Sequence, residues 1–267
     1  MSIEYFVSQG VAEITLNRPQ ALNALDPEAI LAFRGALEKA RDDAAVRVIL
    51  ITGTGQKSFC TGSDLKSIQT AETSYAESYC APDLVAFDNG ARGRMLNLSK
   101  LAIWKPLIAA VNGYCIGGGM EIALQCDLRV ASENASFGLT EPKIGSIAGI
   151  CGPALLLRAV SPANAMKMLM TASRIDASEA LRIGLISDVW KPDDLMTNAR
   201  AMAQGIAEHA PLSISFTKRI AYDTQTLSAG AAIDHTELVF GVIKDTEDRL
   251  EGRQAFAEKR KPQFHGR

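Results

Sequence analysis

The sequence lacks the residue patterns of several large enzyme classes. Among its 267 residues there are three histidines, and none lies in an H-E-x-x-H pattern. No G-x-S-x-G segment supplies a nucleophilic serine, and no ligand cluster suggests a catalytic metal. We therefore interpret His209, His235 and His265 as surface or packing residues.

The cysteine pattern argues against disulfide bridges and zinc sites. The five cysteines are odd in number, form no C-x-x-C pair and lie mostly within apolar stretches. A disulfide framework needs paired cysteines, and a zinc site needs closely spaced ligands. We expect neither among Cys60, Cys80, Cys115, Cys126 and Cys151.

The chain has neither a strong net charge nor a membrane-length apolar run. Its formal charge is −2, without a long block of one sign, and no 18 consecutive residues are apolar. This balance favours a small-molecule substrate over a nucleic-acid or membrane partner. Because the strand-like run Ile3 to Val7 opens the sequence in place of a basic leader, we expect a cytoplasmic protein.

Patterns in the first half predict an α/β fold. Ile3 to Ser8 and Val11 to Leu16 are rich in Val, Ile and Tyr and flank Gln9-Gly10, which indicates a hairpin. Val46 to Thr52 and Leu107 to Val111 are almost wholly apolar, as expected of strands that helices cover on both faces.

Helices are predicted between and after these strands. Asp26-Pro27-Glu28 is a strong helix start, and apolar residues recur on one face after it. Beyond about residue 140 the patterns favour helices at Pro153 to Val160, Pro162 to Thr171, Ala177 to Ile183, Pro192 to His209 and Ala229 to Lys259. We assign residues 1–200 to a core and 201–267 to a C-terminal helical subdomain, whose last helices could pack on a neighbouring subunit.

The stretch from Lys66 to Lys105 is loosely patterned. Insertions of this kind often shape a pocket or lid, but an ordinary surface loop has the same composition. Both interpretations stay open.

The most specific segment runs from Leu107 to Glu121 and contains Gly117-Gly118-Gly119. Three adjacent glycines cost conformational entropy, so something must approach this backbone closely. NH groups at a helix start can stabilise a developing negative charge, which makes Gly118 a candidate oxyanion-hole donor. A phosphate loop is the rival interpretation, but neither of its usual glycine patterns is present.

A second segment, F-C-T-G-S-D-L-K at 59–66, also follows a buried strand. Taken alone it is an ordinary turn with Asp64 as a helix cap. Junctions of one parallel sheet open on the same edge, so an NH from each could hold one carbonyl oxygen.

The third segment, A-S-F-G-L-T-E-P at 135–142, places Glu141 where a short strand turns into helical chain. A glutamate before proline is commonly a cap or a surface charge. With Glu121 at a separate junction, the two acids could instead provide general acid and general base catalysis on one water molecule.

Taken together, F-C-T-G-S-D-L-K, K-P-L-I-A-A-V-N-G-Y-C-I-G-G-G-M-E and A-S-F-G-L-T-E closely resemble the crotonase superfamily, in particular enoyl-CoA hydratases. N-R-P-Q-A-L-N-A-L near the start and E-G-R-Q-A-F-A-E-K-R-K-P-Q-F near the end extend the likeness over essentially the whole chain. The resemblance implies a spiral of ββα units with a C-terminal helical subdomain for trimerisation. It further implies homotrimers or homohexamers that bind acyl-CoA without a metal or redox cofactor, in a setting such as fatty-acid β-oxidation.

Site residues follow from the same resemblance, position by position. Ser63 and Gly118 correspond to the oxyanion-hole donors, Glu121 and Glu141 to the catalytic acids, and Gly149 to a glycine that shapes the water site. Positions that contact CoA are Ala21, Leu22, Thr61, Asp64, Leu65 and Lys66, with Phe256 and Lys259 reaching CoA, in many members from an adjacent subunit.

The implied reaction is reversible addition of water to a 2-enoyl-CoA. Other reactions of the family remain alternatives, namely enoyl-CoA isomerisation, carnitinyl-CoA-type dehydration and thioester hydrolysis, as does a noncatalytic or RNA-binding role. Gln20 stands where the family often has lysine, and the segment 146–151 is bulkier than the usual hydratase pattern. The identity of the acyl group is therefore open.

Overall fold

A computed structural model describes residues 1–67 and 91–267. Its larger sheet has six strands in the order β1-β2-β3-β5-β7-β10, and every neighbouring pair except the antiparallel β1 and β2 is parallel. The strands are β1 (Ile3–Ser8), β2 (Val11–Leu16), β3 (Val48–Gly53), β5 (Leu107–Val111), β7 (Leu128–Ser132) and β10 (Asp188–Trp190).

A second sheet is built from four very short strands in the order β4-β6-β8-β9. The first three run parallel, and β9 is antiparallel to β8. They are β4 (Ser58–Cys60), β6 (Tyr114–Ile116), β8 (Ser136–Gly138) and β9 (Ile175–Asp176). The chain thus passes from a strand of the large sheet to one of the small sheet at β3–β4, β5–β6 and β7–β8.

Helices connect and cover the sheets. They are α1 (Pro27–Asp42), α2 (Ala91–Leu96), α3 (Gly118–Leu124), α4 (Gly152–Ala159), α5 (Pro162–Thr171), α6 (Ala177–Arg182), α7 (Leu195–Ala207), α8 (Pro211–Asp223), α9 (Ala229–Lys244) and α10 (Glu247–Glu258). This mixed α/β architecture with parallel sheets confirms the predicted fold class.

The first elements form for the reasons the sequence gives. Gln9 and Gly10 both adopt positive φ, +49° and +78°, and turn β1 onto β2 in the expected hairpin. Asp26 Oδ1 accepts a hydrogen bond from the Ala29 NH at 2.8 Å and caps α1 as predicted. Both predictions are confirmed.

Helices on both faces of the large sheet explain its wholly apolar strands. Along β3, Ile49 and Ile51 join the main core beneath α1, whereas Val48 and Leu50 face a second core beneath α7. Each face therefore buries its own alternate side chains.

The C-terminal half differs from its predicted pattern. The helix expected over Ala229 to Lys259 is broken into α9 and α10, because Thr246 caps the second by accepting from the Arg249 NH at 3.2 Å. The short strands β9 and β10 were not predicted, since two or three residues carry too little periodicity. Helix α8 has 13 residues and was not predicted either. The domain division near residue 200 stays a prediction.

The last residues fold back on α10. The buried carboxylate of Asp248 accepts hydrogen bonds from the NH groups of His265 and Gly266, at 2.6 and 2.8 Å. Glu251 similarly accepts from the Gln263 NH at 2.7 Å. Over the described ranges, no helix combines the length and apolarity needed to cross a membrane.

Candidate active site

The three segments singled out in the sequence follow three neighbouring parallel strands of the small sheet. Thr61 to Asp64 follows β4, Gly117 to Gly119 follows β6, and Glu141 follows β8. The sequence placed the first two directly after the buried strands ending near Thr52 and Val111, which is wrong, because β4 and β6 intervene. The principle still applies, since parallel neighbours deliver their following loops to one edge.

Two glycine backbones touch at this edge. A Cβ on Gly62, whose φ is +86°, would lie 2.8 Å from the Gly118 nitrogen, and a Cβ on Gly118 would lie 3.3 Å from the Gly62 Cα. Any side chain at either position would force the loops after β4 and β6 apart. Close approach, expected from the glycine run, is therefore what these residues permit.

Main-chain NH groups are left free beside this contact. Leu25 forms two hydrogen bonds with the loop after β4. Its NH donates to the Gly62 oxygen, and its carbonyl accepts from the Asp64 NH. In such a parallel bridge the intervening Ser63 NH points away from Leu25. Neither this NH nor that of Gly118 has a hydrogen-bond acceptor within residues 1–67 and 91–267.

Glu121 lies in α3 and is 2% exposed. Its Oε1 accepts hydrogen bonds from three successive main-chain NH groups, those of Ile150, Cys151 and Gly152, at 2.9, 2.8 and 2.8 Å. Burial raises the pKa of the Glu121 carboxyl, and the three NH groups oppose that rise by stabilising its charged form.

Glu141 begins a short 3₁₀ helix and is half-buried. Its Oε1 lies 3.2 Å from the point where a Cβ on Gly117 would stand, and its Oε2 is buried without a hydrogen-bond partner among the described residues. Burial, and then the nearby charge of Glu121, raise the pKa of this carboxyl. The Glu121 NH donates to the Gly117 oxygen, so both acids adjoin the same turn.

The expected CoA-contact positions in the first part of the chain also come together. Leu22 has a positive φ of +54°, and its carbonyl accepts hydrogen bonds from the hydroxyls of Ser58 and Thr61, at 2.7 and 3.4 Å. Ala21 precedes it in a half-buried position. This joins the loop after β2 to the loop after β4.

An arginine holds the same two loops together. Arg18 Nη2 lies 2.9 Å from an oxygen of Asp26 and 3.0 Å from one of Asp64, while its Nη1 donates to the Ala24 carbonyl. The hydrogen bond from Arg18 lowers the pKa of Asp64, whose carboxylate also accepts from the Lys66 NH. Lys66 and the 57% exposed Leu65 follow on the surface.

Other expected site residues lie apart from this cluster or are less constrained. Phe256 on α10 is 87% exposed, and no hydrogen bond or ion pair of the described residues connects it or Lys259 to the loop after β4. Gly149 is exposed next to Ile150, and a Cβ there would meet nothing closer than the Ile147 oxygen at 3.8 Å. Most of the Lys66 to Lys105 insertion, residues 68–90, lies outside the described residues.

Several supporting residues were missed by sequence reasoning. The NH groups that hold Glu121 belong to residues 150–152, part of a stretch in which the sequence pointed only to Gly149 and to the bulk of the stretch, and a hydrogen-bonding NH has no side-chain signal. Asn23 was also missed, although its buried amide donates to the Ser58 carbonyl at 2.7 Å and fixes the loop after β2. In the described ranges no three His, Cys, Asp or Glu side chains gather as metal ligands would, and the cysteines there are free.

Comparison with known proteins identifies the family. The family described as Enoyl-CoA hydratase/isomerase matches residues 7–267. The chain is 46% identical over 266 residues, all of both chains, to an (E)-benzylidenesuccinyl-CoA hydratase of Thauera aromatica. It is 40% identical over 263 residues, 96% of this chain and 95% of the other, to a carnitinyl-CoA dehydratase of Salmonella enteritidis PT4.

Solved structures agree with the sequence relatives. The crystal structure of an enoyl-CoA hydratase from Bacillus anthracis superposes with a TM-score of 0.89 at 30% identity, covering all of both chains. The chain therefore belongs to the enoyl-CoA hydratase/isomerase family, the crotonase-fold enzymes, and is a hydro-lyase acting on acyl-CoA.

Proposed function

We propose that the chain is a 2-enoyl-CoA hydratase, which adds water reversibly and syn across the double bond of an enoyl thioester to give a 3-hydroxyacyl-CoA. One observation carries this proposal: the buried Glu121 and the half-buried Glu141, both with raised pKa values, adjoin the turn that presents the Gly118 NH. Paired acid and base groups are what water addition requires. The reaction needs no cofactor beyond the CoA of the substrate.

The thioester oxygen is proposed to accept hydrogen bonds from the Ser63 and Gly118 NH groups. Negative charge builds on this oxygen as the α-carbon becomes enolate-like. Two fixed donors stabilise that charge without reorganising, and loss of one such donor typically costs about 2.7–4 kcal/mol of barrier. The contact between Gly62 and Gly118 supports this role, because it holds the two loops at a fixed separation.

The two acids are proposed to act in different protonation states. Three NH groups favour the charged form of Glu121, so it is the base that takes a proton from water as the water oxygen bonds the β-carbon. For Glu141 its own main-chain NH is the one donor that lowers the pKa, whereas burial and the negative charge of Glu121 raise it, so Glu141 is the acid that protonates the α-carbon. Gly149 leaves space for the water. Proton exchange with solvent then restores both groups.

CoA is proposed to lie along the joined loops. Support comes from the contacts that bring the expected positions together, and the exposed ammonium of Lys66 can pair with a phosphate. The positions are Ala21, Leu22, Thr61, Asp64, Leu65 and Lys66.

A homotrimer or a dimer of trimers is proposed, in which Phe256 and Lys259 reach the CoA of an adjacent subunit. Support comes from α8 and α9, which bury no residue of their own, and from apolar side chains that α9 leaves exposed, including Ile233 at 67% and Leu238 at 73%. Light scattering coupled to size exclusion measures the mass of the assembly directly.

The identity of the acyl group is a separate part of the proposal. Identity of 46% over the whole length to a benzylidenesuccinyl-CoA hydratase favours, as a second candidate, an enoyl-CoA with an aromatic ring on the double bond. A kinetic panel of crotonyl-CoA, cinnamoyl-CoA, (E)-benzylidenesuccinyl-CoA and carnitinyl-CoA separates the candidates, because each substrate has a distinct product.

The mechanism is tested with Glu121→Gln and Glu141→Gln, each assayed on the best substrate of that panel. We expect each variant to lose most of its hydration activity and to retain CoA binding by calorimetry, because neither acid contacts CoA in this arrangement. Unchanged turnover in either variant would refute the assigned roles. Isomerisation or hydrolysis in place of hydration would refute the reaction itself.

A further inference from the structure

One side chain near the two acids has no role in the proposed reaction so far. Ile150 donates its main-chain NH to Glu121 Oε1 at 2.9 Å. Its side chain is half-buried, and it packs against the main core on one side. The end of the Ile150 side chain points toward Gly118. A Cβ on Gly118 would lie 3.8 Å from Ile150 Cδ1.

The position of Cδ1 can be related to the substrate. In the proposed complex, the Gly118 NH donates to the thioester oxygen at about 2.9 Å. The α-carbon of the acyl group is two covalent bonds from that oxygen. Cδ1 lies 3.8 Å from where a Gly118 Cβ would stand, so it occupies the space next to the turn that would hold the thioester carbonyl. The α-carbon is the first acyl atom beyond that carbonyl that can carry a substituent, and it is the acyl position that we place beside Cδ1.

We propose that Ile150 is a specificity-determining residue, whose Cδ1 limits the size of the substituent on the α-carbon of a 2-enoyl-CoA. This inference rests on the proposed hydration. The NH on Glu121 anchors the main chain of Ile150, and the side chain packs on the core, so moving it aside to admit a branch would cost packing contacts. Its apolar surface selects alkyl or hydrogen at the α-carbon, which disfavours the benzylidenesuccinyl candidate because a 2-ene of that kind carries a carboxymethyl group there. The β-carbon substituent is left to other residues.

Two substitutions of graded size test the proposal. Ile150→Val removes only Cδ1, and Ile150→Ala removes three carbons, while both keep the NH on Glu121. We measure kcat/KM for crotonyl-CoA and for its 2-methyl derivative, and use their ratio. One extra or missing methylene in a hydrophobic pocket alters such ratios by about 10- to 200-fold. We expect Ile150→Ala to raise the ratio in favour of the 2-methyl substrate by at least about 10-fold, and Ile150→Val by less.

Ile147→Ala is the matched control. Ile147 lies three residues earlier in the same segment, is 76% exposed and has no NH bond to Glu121, so its replacement should leave the ratio unchanged. An equal shift in this control would show a general loosening of the segment and would overturn the proposal.

The failure of this inference is distinguishable from failure of the proposed function. If the wild-type chain hydrates neither thioester, nor any member of the wider panel, the proposed function falls. If it hydrates crotonyl-CoA and the ratio stays constant in Ile150→Val and Ile150→Ala, only the role of Ile150 falls. Should the alanine variant lose activity on both substrates, the ratio in the valine variant decides.

Discussion

Glu121 and Glu141 adjoin one turn in opposite hydrogen-bonding states. Glu121 Oε1 accepts three main-chain NH groups, whereas Glu141 Oε2 is buried with no partner in the part of the chain that the structure describes. An unpaired buried oxygen costs free energy unless a solvent or substrate group completes it. This difference between the two carboxyls supports the different roles proposed for them toward one water molecule.

Replacing Glu141 by glutamine should stabilise the protein at neutral pH. The pKa of this carboxyl is raised in the folded chain, so as pH rises above the ordinary glutamate value of about 4.3 the unfolded chain ionises first and wild-type stability falls. Glutamine does not titrate. Urea unfolding should therefore give Glu141→Gln a higher free energy of unfolding than wild type at pH about 7.5, and a smaller difference at pH about 4.

The control for that measurement is Glu179→Gln. Glu179 is paired with Arg182 and its pKa is lowered, so this variant should gain nothing at neutral pH. An advantage of Glu141→Gln that is the same at both pH values would contradict ionisation as its cause.

A methyl group on Gly119 should destabilise the small sheet. A Cβ there would lie 2.1 Å from the Cys60 carbonyl oxygen of β4, a backbone atom that cannot move without shifting the strand. We expect Gly119→Ala to lower the free energy of unfolding by about 3 kcal/mol or more, at the upper end of overpacking costs. Chemical denaturation measures it.

Gly205 on α7 gives the matched glycine-to-alanine change in open space. No atom lies within 4 Å of a Cβ at this position, so Gly205→Ala should instead stabilise the protein by about 0.5–1 kcal/mol through helix propensity. Equal effects of the two substitutions would rule out the contact with Cys60 as the reason for glycine at 119.

Removing Arg18 should weaken CoA binding more than it slows the reaction. Arg18→Met breaks the ion pairs that the guanidinium makes with the partly buried carboxylates of Asp26 and Asp64. The loops that carry the proposed CoA contacts would then separate. We expect KM for acyl-CoA to rise about 10-fold, equivalent to about 1.4 kcal/mol, while kcat changes less than threefold.

Arg200→Met is a suitable control because Arg200 also binds a carboxylate, Glu13, with two hydrogen bonds, but between β2 and α7. Its KM should match that of wild type. A rise of the same size in this variant would trace the effect of Arg18 to general stability.

Features with a side-chain signal were predictable. Runs rich in Val, Ile and Tyr around a Gln-Gly turn predict β1 and β2, and almost unbroken apolar runs predict β3 and β5. A helix cap followed by a periodic apolar face predicts α1, and the three adjacent glycines predict a close backbone approach. The small sheet was not predictable, because strands as short as Ser58–Cys60 and Tyr114–Ile116 carry no period.

The least predictable part of the site is main-chain geometry. The amino-acid identities of residues 150–152 do not indicate that their NH groups converge on Glu121, since every residue except proline has such a group. Likewise, the break between α9 and α10 depends on one threonine cap in a long run of helix-forming residues. A tertiary contact decides the first, and a single local cap decides the second.

Because the chain passes from the large sheet to the small sheet three times, the framework and the candidate site are built from different parts of the fold. The six-stranded sheet contributes the buried framework, while the loops after β4, β6 and β8 contribute the groups that would meet substrate. Substitutions in those loops can thus change the reaction without disturbing the six-stranded sheet that supports the loops. For protein engineering, these three loops are therefore the segments to vary while the six-stranded sheet is left unchanged.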